Sequence, residues 1–549
     1  MNNASVLILG AGPTGLALAC DLRSRGVDAQ VVDRFRGPAT TTRALGVQPR
    51  GRQILERLGA LPTEASSQTR FNVYVDGRAV LGVDLEVLGS LNDDGALRVP
   101  QTAVERRLRE RLRDLGTEPL WGHEVIHVRE DIGGVEVDIR TAHGDVRMRA
   151  DWCVGCDGAH SIVRDAIGAT FDGTAYPETF LLGDVRLDWD MKEGAAIYLN
   201  GSQILTIASL RRGIWRIGAA LPPRDPLADR GRDAMTVERE KSSVPSQQGL
   251  ERLQQLFAAG SGDSETRLSD PSWLSIFRIN RRMASTFRRG RLLIAGDAAH
   301  LSSPLGGQGM NTGLADAFNL GWKLALVVHK RASEALIDTY EQERRPAAQQ
   351  IERATTQWTN VLLGKDAGIR LLRRYVIFPA MQFRIVQSWV LTRRRALQSN
   401  YRGGPLAPQV SSGWLVRRVH PGPQPGDEAP DARGILVGEH RRTGIGREIG
   451  NRWGLIFFGS AGAQIRACSD AVRYRLGNDL HIVHVATNGA THSGDTVIED
   501  DAGAIARAYR PASDTAILIR PDGHLAWRSR SADVSGVIAW LDKILATGS

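Results

Sequence analysis

Three acids and a set of glycines in this 549-residue chain stand where phosphate and hydroxyl chemistry would need them. Gly10, Gly12 and Gly15, in "LGAGPTG", follow directly on a short apolar run. Gly10 permits a tight turn, Gly12 lets the backbone approach a pyrophosphate, and Gly15 allows a helix to pack closely on a strand. A helix opening at Pro13 and Thr14 turns N–H groups and its positive end toward the same place. Asp33, with Arg34 beside it, ends the next apolar run at the spacing of about 20 residues expected of a ribose-binding acid. Asp157-Gly158 and Gly296-Asp297 each end another apolar run. Gly306, Gly307 and Gly309 crowd the loop "PLGGQGMN" that follows the last of these acids.

The elements that must position these residues are legible around them. Val6 to Leu9 are continuously apolar, as a strand buried on both faces must be. "LALACDLRSRG" then has helical periodicity up to Gly26, and "AQVVD" reads as a second strand. A lone glycine motif would be weak; strand, glycines, helix, strand and acid in register specify an ADP-containing dinucleotide. That much leaves NAD and FAD both open. A ribityl chain, unlike a nicotinamide dinucleotide, needs a further buried acceptor such as Asp297. Strand ends at Gly10, Asp157 and Asp297 can converge on one edge of a parallel sheet, where ligands bind in such folds. Between about 170 and 285, "TFLLGDVRLDW" and "GIWRIGAAL" alternate as antiparallel strands do. Tyr198, Trp215 and Phe277 are the candidates there to line a substrate pocket. His300 is assigned a structural hydrogen bond, and no side-chain base is assigned.

Composition narrows the classes. Forty-two per cent hydrophobic and 24% charged residues suit a globular chain of two to four domains. The net charge of +9 is dispersed, which reads as solvated surface rather than a nucleic-acid footprint. Four cysteines form no disulfide framework and fit a reducing cytoplasm; Cys153 and Cys156 lack a second pair, so no metal is expected. The N-terminus has no signal-peptide pattern, and no run of 18 apolar residues occurs, so no stable membrane association is expected. "GIGREIG", from Gly444, has no apparent strand before it and is discounted as a nucleotide site.

The order of Gly10–Gly15, Asp157-Gly158 with Arg164, and Gly296-Asp297 resembles the class A flavoprotein monooxygenases, FAD-dependent hydroxylases of the p-hydroxybenzoate hydroxylase fold, and within them the longer bacterial enzymes that act on polyketides and phenols. The likeness covers residues 1 to about 400. It implies an α/β architecture: a Rossmann-like FAD domain (1–70, 96–168 and 285–345), an inserted, mainly antiparallel substrate domain (71–95 and 169–284), a helical connector (346–405), and a thioredoxin-like C-terminal domain (406–549) without CxxC, suited to packing or to a homodimer. It implies Arg43 and Gln101 near the FAD diphosphate and ribityl groups, Val125 against adenine, and Asp157 supporting the nucleotides. Asp297 falls to the ribityl chain, and Gly307, Gly309, Met310 and Asn311 to the flavin edge. The carbonyl of Pro304 would face the reacting oxygen, making Pro304 and Arg43 the residues nearest the chemistry. Asp33 stands where the family more often has Glu. The implied activity is hydroxylation of an aromatic substrate with NADPH or NADH and O2 through a flavin C4a-hydroperoxide. Baeyer–Villiger oxidation or epoxidation remain alternatives, with a non-oxygenase flavoprotein or an NAD-dependent dehydrogenase below them.

Overall fold

The computed structural model describes residues 3–42, 44–67, 70–84, 95–189, 194–201, 203–211, 213–228, 246–303, 307–363, 367–383, 386, 400–407, 422–458, 463–486, 494–512, 514–529 and 534–545. Arg43, Pro304 and Gly306 lie outside them.

The chain begins with β1 (Asn3–Leu9), α1 (Pro13–Ser24) and β2 (Ala29–Asp33). Val6, Leu7 and Ile8 are buried, as a strand covered on both faces requires. Pro13 opens α1, where its missing N–H costs no hydrogen bond. After α2 (Gln101–Asp114), the long β3 (Gly144–Gly155) returns parallel to β1. The chain then leaves for a second sheet through β4 (Phe171–Leu187), β5 (Ile214–Ala220) and β6 (Leu268–Ala284), with α3 (Ser246–Ser261) on one face. It comes back as the short β7 (Leu292–Ile294), parallel to β3. Then follow α4 (Gly309–Val328) and α5 (Ala335–Leu363). The 345/346 boundary falls inside α5.

The first sheet runs Arg288–Arg289, β7, β3, β1, β2, Leu120–Trp121. The second has eight strands, drawing Arg70–Val75 and Arg78–Asp84 into the sheet of β4, β5 and β6. Its pairs are antiparallel except where Ala195–Asn200 meets Arg70–Val75. The C-terminal sheet is built on β8 (Trp453–Phe458), and α6 (Ala463–Leu476) leads to the parallel β9 (Leu480–Ala486). On its other side lie β10 (Ala516–Ile519), antiparallel to β8, and β11 (Leu525–Ser529), followed by α7 (Val534–Leu545). Trp322 of α4 meets Trp453 edge-on at 5.3 Å, and Trp540 continues the stack.

Two sequence readings change. Strand Arg441–Gly444 does precede "GIGREIG". The run is still no phosphate site, because Asp431 fills the turn, its Oδ1 accepting from the Gly446 N–H at 2.8 Å. Arginine is also less of a surface residue than its dispersal implied: Arg50, Arg164, Arg216, Arg344 and Arg520 are buried.

Candidate active site

Register builds the site. Leu9 of β1 pairs with Gly155 of β3, and Gly155 with Ile294 of β7, while Leu9 also faces Val32 of β2. Four parallel strands therefore end in line, and Gly10, Asp33, Cys156-Asp157 and Gly296-Asp297 leave the same edge. This is the edge at which parallel sheets bind ligands.

Each glycine of the first loop has its own reason. Gly10 sits at φ +104°, and a Cβ there would strike the Cys156 carbonyl. A Cβ on Gly15 would run into the Gly10 carbonyl, so only glycine lets α1 approach β1 this closely. At Gly12 a Cβ would meet nothing within 4 Å: the loop leaves an open cradle in front of the α1 N-terminus, which carries no side-chain cap. Thr14 is packed instead against Gly296 and Gly313, locking α1 to the β7 end and to α4. Asp33 holds the cradle in shape, Oδ2 accepting from the Ala11 N–H at 2.7 Å and Oδ1 from the Phe35 N–H at 2.9 Å. Arg34 is exposed, with its guanidinium over the Phe35 ring. The Asp33 carbonyl accepts from the His123 N–H, which brings the strand carrying Val125 alongside.

Asp157 accepts the Ile162 N–H on Oδ2 at 2.8 Å. Its Oδ1 is enclosed without a protein partner among the described residues, and burial pushes the carboxyl above its ordinary range. Gly158 turns at φ +81°, and Arg164 donates to the Ala159 and Ala298 carbonyls. Asp297 is half-buried at the β7 end. Beyond it Gly307 turns at φ +61°, and α4 starts at Gly309 without a side-chain cap, again with open space at the glycine Cβ position. Met310 is half-buried in the first turn. Asn311 clamps that turn: its Oδ1 accepts the Gln48 N–H at 2.8 Å, and its Nδ2 donates to the Gly307 carbonyl at 2.9 Å.

The segment flanking Arg43 is pinned from two sides. Gln101 donates its N–H to Thr42 Oγ1 at 2.9 Å and accepts the Ala44 N–H at 3.3 Å. Arg216 of β5 donates to the Thr42 carbonyl at 2.5 Å while paired with Asp184 at 2.7 Å. Arg216 thus marks which face of the second sheet meets the first domain. Trp273 and Phe277 share that face, in register with Asp184 and Phe180. Tyr198 and Trp215 point the other way, into the core beneath α3, Tyr198 stacked on Tyr74 at 4.5 Å.

Sequence reasoning missed Asp316, which is wholly buried on α4. Its Oδ2 accepts from Gly296 N–H at 3.0 Å and meets His300 Nε2 at 2.7 Å, while Oδ1 accepts from Arg344 Nε at 2.7 Å. Burial would push this carboxyl up; His300 and Arg344 outweigh it and hold it below its ordinary range. No motif marks it: its partners lie 16 to 28 residues away with no spacing signature among them.

The open cradles before α1 and α4 suit a diphosphate and an anionic ring edge. The residues present fit FAD. Residues 3–355 match the family model described as an FAD binding domain. The chain belongs to this family of FAD-dependent aromatic hydroxylases. It is 32% identical to 6-methylpretetramide 4-monooxygenase of Streptomyces rimosus, over 98% of this chain and 93% of that protein. The anhydrotetracycline hydroxylase OxyS, also of Streptomyces rimosus, superposes with a TM-score of 0.74 at 25% identity, over 99% of both chains. Aklavinone-11 hydroxylase, in complex with FAD and aklavinone, shares the fold at 24% identity and a TM-score of 0.76, over 99% of this chain and all of that one. This hydroxylase-family chain is an FAD-dependent monooxygenase. Among its described residues no helix is long and apolar enough to cross a membrane.

Proposed function

We propose that the substrate is a polycyclic phenol of the polyketide type, hydroxylated on an electron-rich ring beneath the Arg216–Phe277 face of the second sheet. The observation that carries this is the alignment of four strand ends under one sheet face whose arginine reaches the segment beside Arg43. Phe277, stacked on Phe180 at 5.8 Å, is buried in the apolar core of that face, which backs the substrate side with apolar surface. The likeness to tetracycline-type monooxygenases supports the class. Tyr198 and Trp215 are assigned to the core.

FAD, when bound, supplies the redox and oxygen chemistry that no side chain here can. The chain's part is holding and excluding. Gly10, Gly12, Pro13, Thr14 and Gly15 cradle the diphosphate, and Asp33 takes the adenosine ribose with Arg34 and Val125 nearby. Arg43, Gln101, Asp157 and Gly158 flank the middle of the cofactor, and Asp297 takes the ribityl hydroxyls. Gly307, Gly309, Met310 and Asn311 meet the ring at the positive end of α4, where the dipole favours negative charge. Pro304, outside the described residues, has no N–H, and its part in the chemistry is carried only by the family resemblance. The C-terminal domain reads as thioredoxin-like, which the order β11-β10-β8-β9 with β10 antiparallel supports. Its Cys468 is buried and alone on α6, so no disulfide exchange is assigned to it.

The test is NADPH- and NADH-dependent oxygen uptake by FAD-loaded protein, with catalase, against simple phenols and polycyclic phenols. Faster uptake with a polycyclic compound that gains one oxygen atom on a ring carbon is expected. Insertion beside a carbonyl would replace hydroxylation by Baeyer–Villiger chemistry. Preference for a single-ring phenol would overturn the substrate class.

A further inference from the structure

Behind the strand ends lies a second group of charges, almost completely sealed from water. Arg520 and Asp522, in the turn between β10 and β11, press onto α4 and α5. Arg520 donates to both oxygens of Glu343, at 2.6 and 2.9 Å, and pairs with Asp522. Glu343 accepts from Lys323 at 2.8 Å and from Asn319 at 2.9 Å, and Asp522 accepts from Asn319 at 3.2 Å and Trp322 at 3.3 Å. His524 stands 3.3 Å from Asp522 and stacks on the Tyr401 ring at 4.1 Å. The Tyr401 hydroxyl accepts from Arg344 Nη1 at 2.9 Å, and Arg344 Nε donates to Asp316. From Asp316 the chain of partners ends on the Gly296 amide and His300.

An interface alone does not need this. The Trp322–Trp453–Trp540 stack and the apolar residues around it already join the C-terminal domain to α4. Buried ion networks commonly add no more stability than well-packed apolar residues would, and their best-attested use is to fix one register. Here the network passes through the interface and ends on the backbone that presents Asp297. Arg520, Glu343, Asp522 and Asn319 are cross-linked among themselves, and this group reaches Arg344 and Asp316 through the His524–Tyr401 ring stack and the Tyr401 hydroxyl.

We infer that the C-terminal domain is a working part of the flavin site: Asp522 and Arg520, acting through Tyr401, Arg344 and Asp316 as positioning residues, hold the Gly296-Asp297 strand end and the start of α4 in the geometry that binds FAD. This rests on the reading that Asp297 and α4 hold the cofactor.

Tyr401→Phe is the sharpest variant. It keeps the ring on His524 and removes only the oxygen that Arg344 bonds. Asp522→Asn loosens the far end, and Ile544→Ala hollows the C-terminal core while keeping every polar group of the network. For each full-length apoprotein, FAD dissociation constants, the visible circular dichroism of bound flavin and the urea midpoint are measured. Tyr401→Phe and Asp522→Asn are expected to weaken FAD at least tenfold and change the flavin dichroism. Ile544→Ala lowers the urea midpoint but leaves the dissociation constant within twofold. A Tyr401→Phe protein with unchanged FAD affinity and dichroism overturns the inference even if Asp522→Asn fails to fold. So does an Ile544→Ala protein that loses FAD equally. Asp297→Asn separates the underlying reading: unchanged FAD affinity there removes Asp297 from the site whatever the network variants do.

Discussion

Gly12 and Gly15 belong to one motif but answer to different neighbours. A methyl at Gly12 enters empty space, whereas one at Gly15 strikes the Gly10 carbonyl. Gly12→Ala should leave apoprotein stability within about 0.5 kcal/mol of the parent, as open positions do. It should still weaken FAD more than tenfold, because the methyl occupies the diphosphate's space. Gly15→Ala should cost about 1–3 kcal/mol in the apoprotein itself, as overpacking does. Urea unfolding and FAD titration of both variants check this; equal stability losses would mean that the cradle is not open. The motif was legible because strand, glycines, helix, strand and acid follow in a fixed order, Asp33 closing the turn through Ala11, 22 residues away. Asp316 was not legible: Gly296, His300 and Arg344 lie 20, 16 and 28 residues from it, separations like that of Ala11 from Asp33, but no pattern of residue types links them to an acid in mid-helix.

At the scale of elements, alternation in the sequence announced the second sheet but not its facing. Strand register is set by pairing partners, and a one-residue difference decides which face a side chain joins. Trp215 and Arg216 are adjacent, yet Trp215 enters the α3 core and Arg216 reaches Thr42. This is why Tyr198 and Trp215 looked as good from sequence as Phe277. Arg216 and Asp184 form a buried pair joining the sheet to the 42–44 segment. Arg216→Met should destabilise by about 3–5 kcal/mol, because it leaves Asp184 charged and unpaired. Adding Asp184→Leu should restore most of the urea midpoint but not kcat/KM, since the Thr42 anchor stays lost. Recovery of both would make Arg216 purely structural. Asn311 makes the parallel link from α4 to Gln48, and Asn311→Ala should cost about 1–3 kcal/mol by stranding that N–H. Amide hydrogen exchange at Gln48 would register its release.

For the whole molecule, the buried network makes stability depend on pH in two separate windows. Burial alone would push the Glu343 carboxyl up; Arg520 and Lys323 outweigh it and hold it at about 2, against an ordinary 4.5. A depressed carboxyl contributes stability above its unfolded value, and that contribution is lost as pH falls from 4.5 toward 2. Glu343→Gln should therefore be less stable at neutral pH and show a flatter acid limb, with Asp316 and Asp522, also held low, keeping part of the slope. Lys323 runs the other way. Burial pulls its ammonium down to about 8 from 10.5, although Glu343 opposes this. Between those values the unfolded chain keeps a proton that the native chain has released, so Lys323 makes stability rise with pH. Melting temperatures of the parent and Lys323→Met from pH 8 to 9.5 isolate that term, because the buried Tyr340 and Tyr401 are held above their ordinary range and stay protonated there. The difference, parent minus variant, should grow with pH. A constant difference would mean that Lys323 keeps its proton in the interior. The network would then be a fixed set of charges, and only its acid limb would respond to pH.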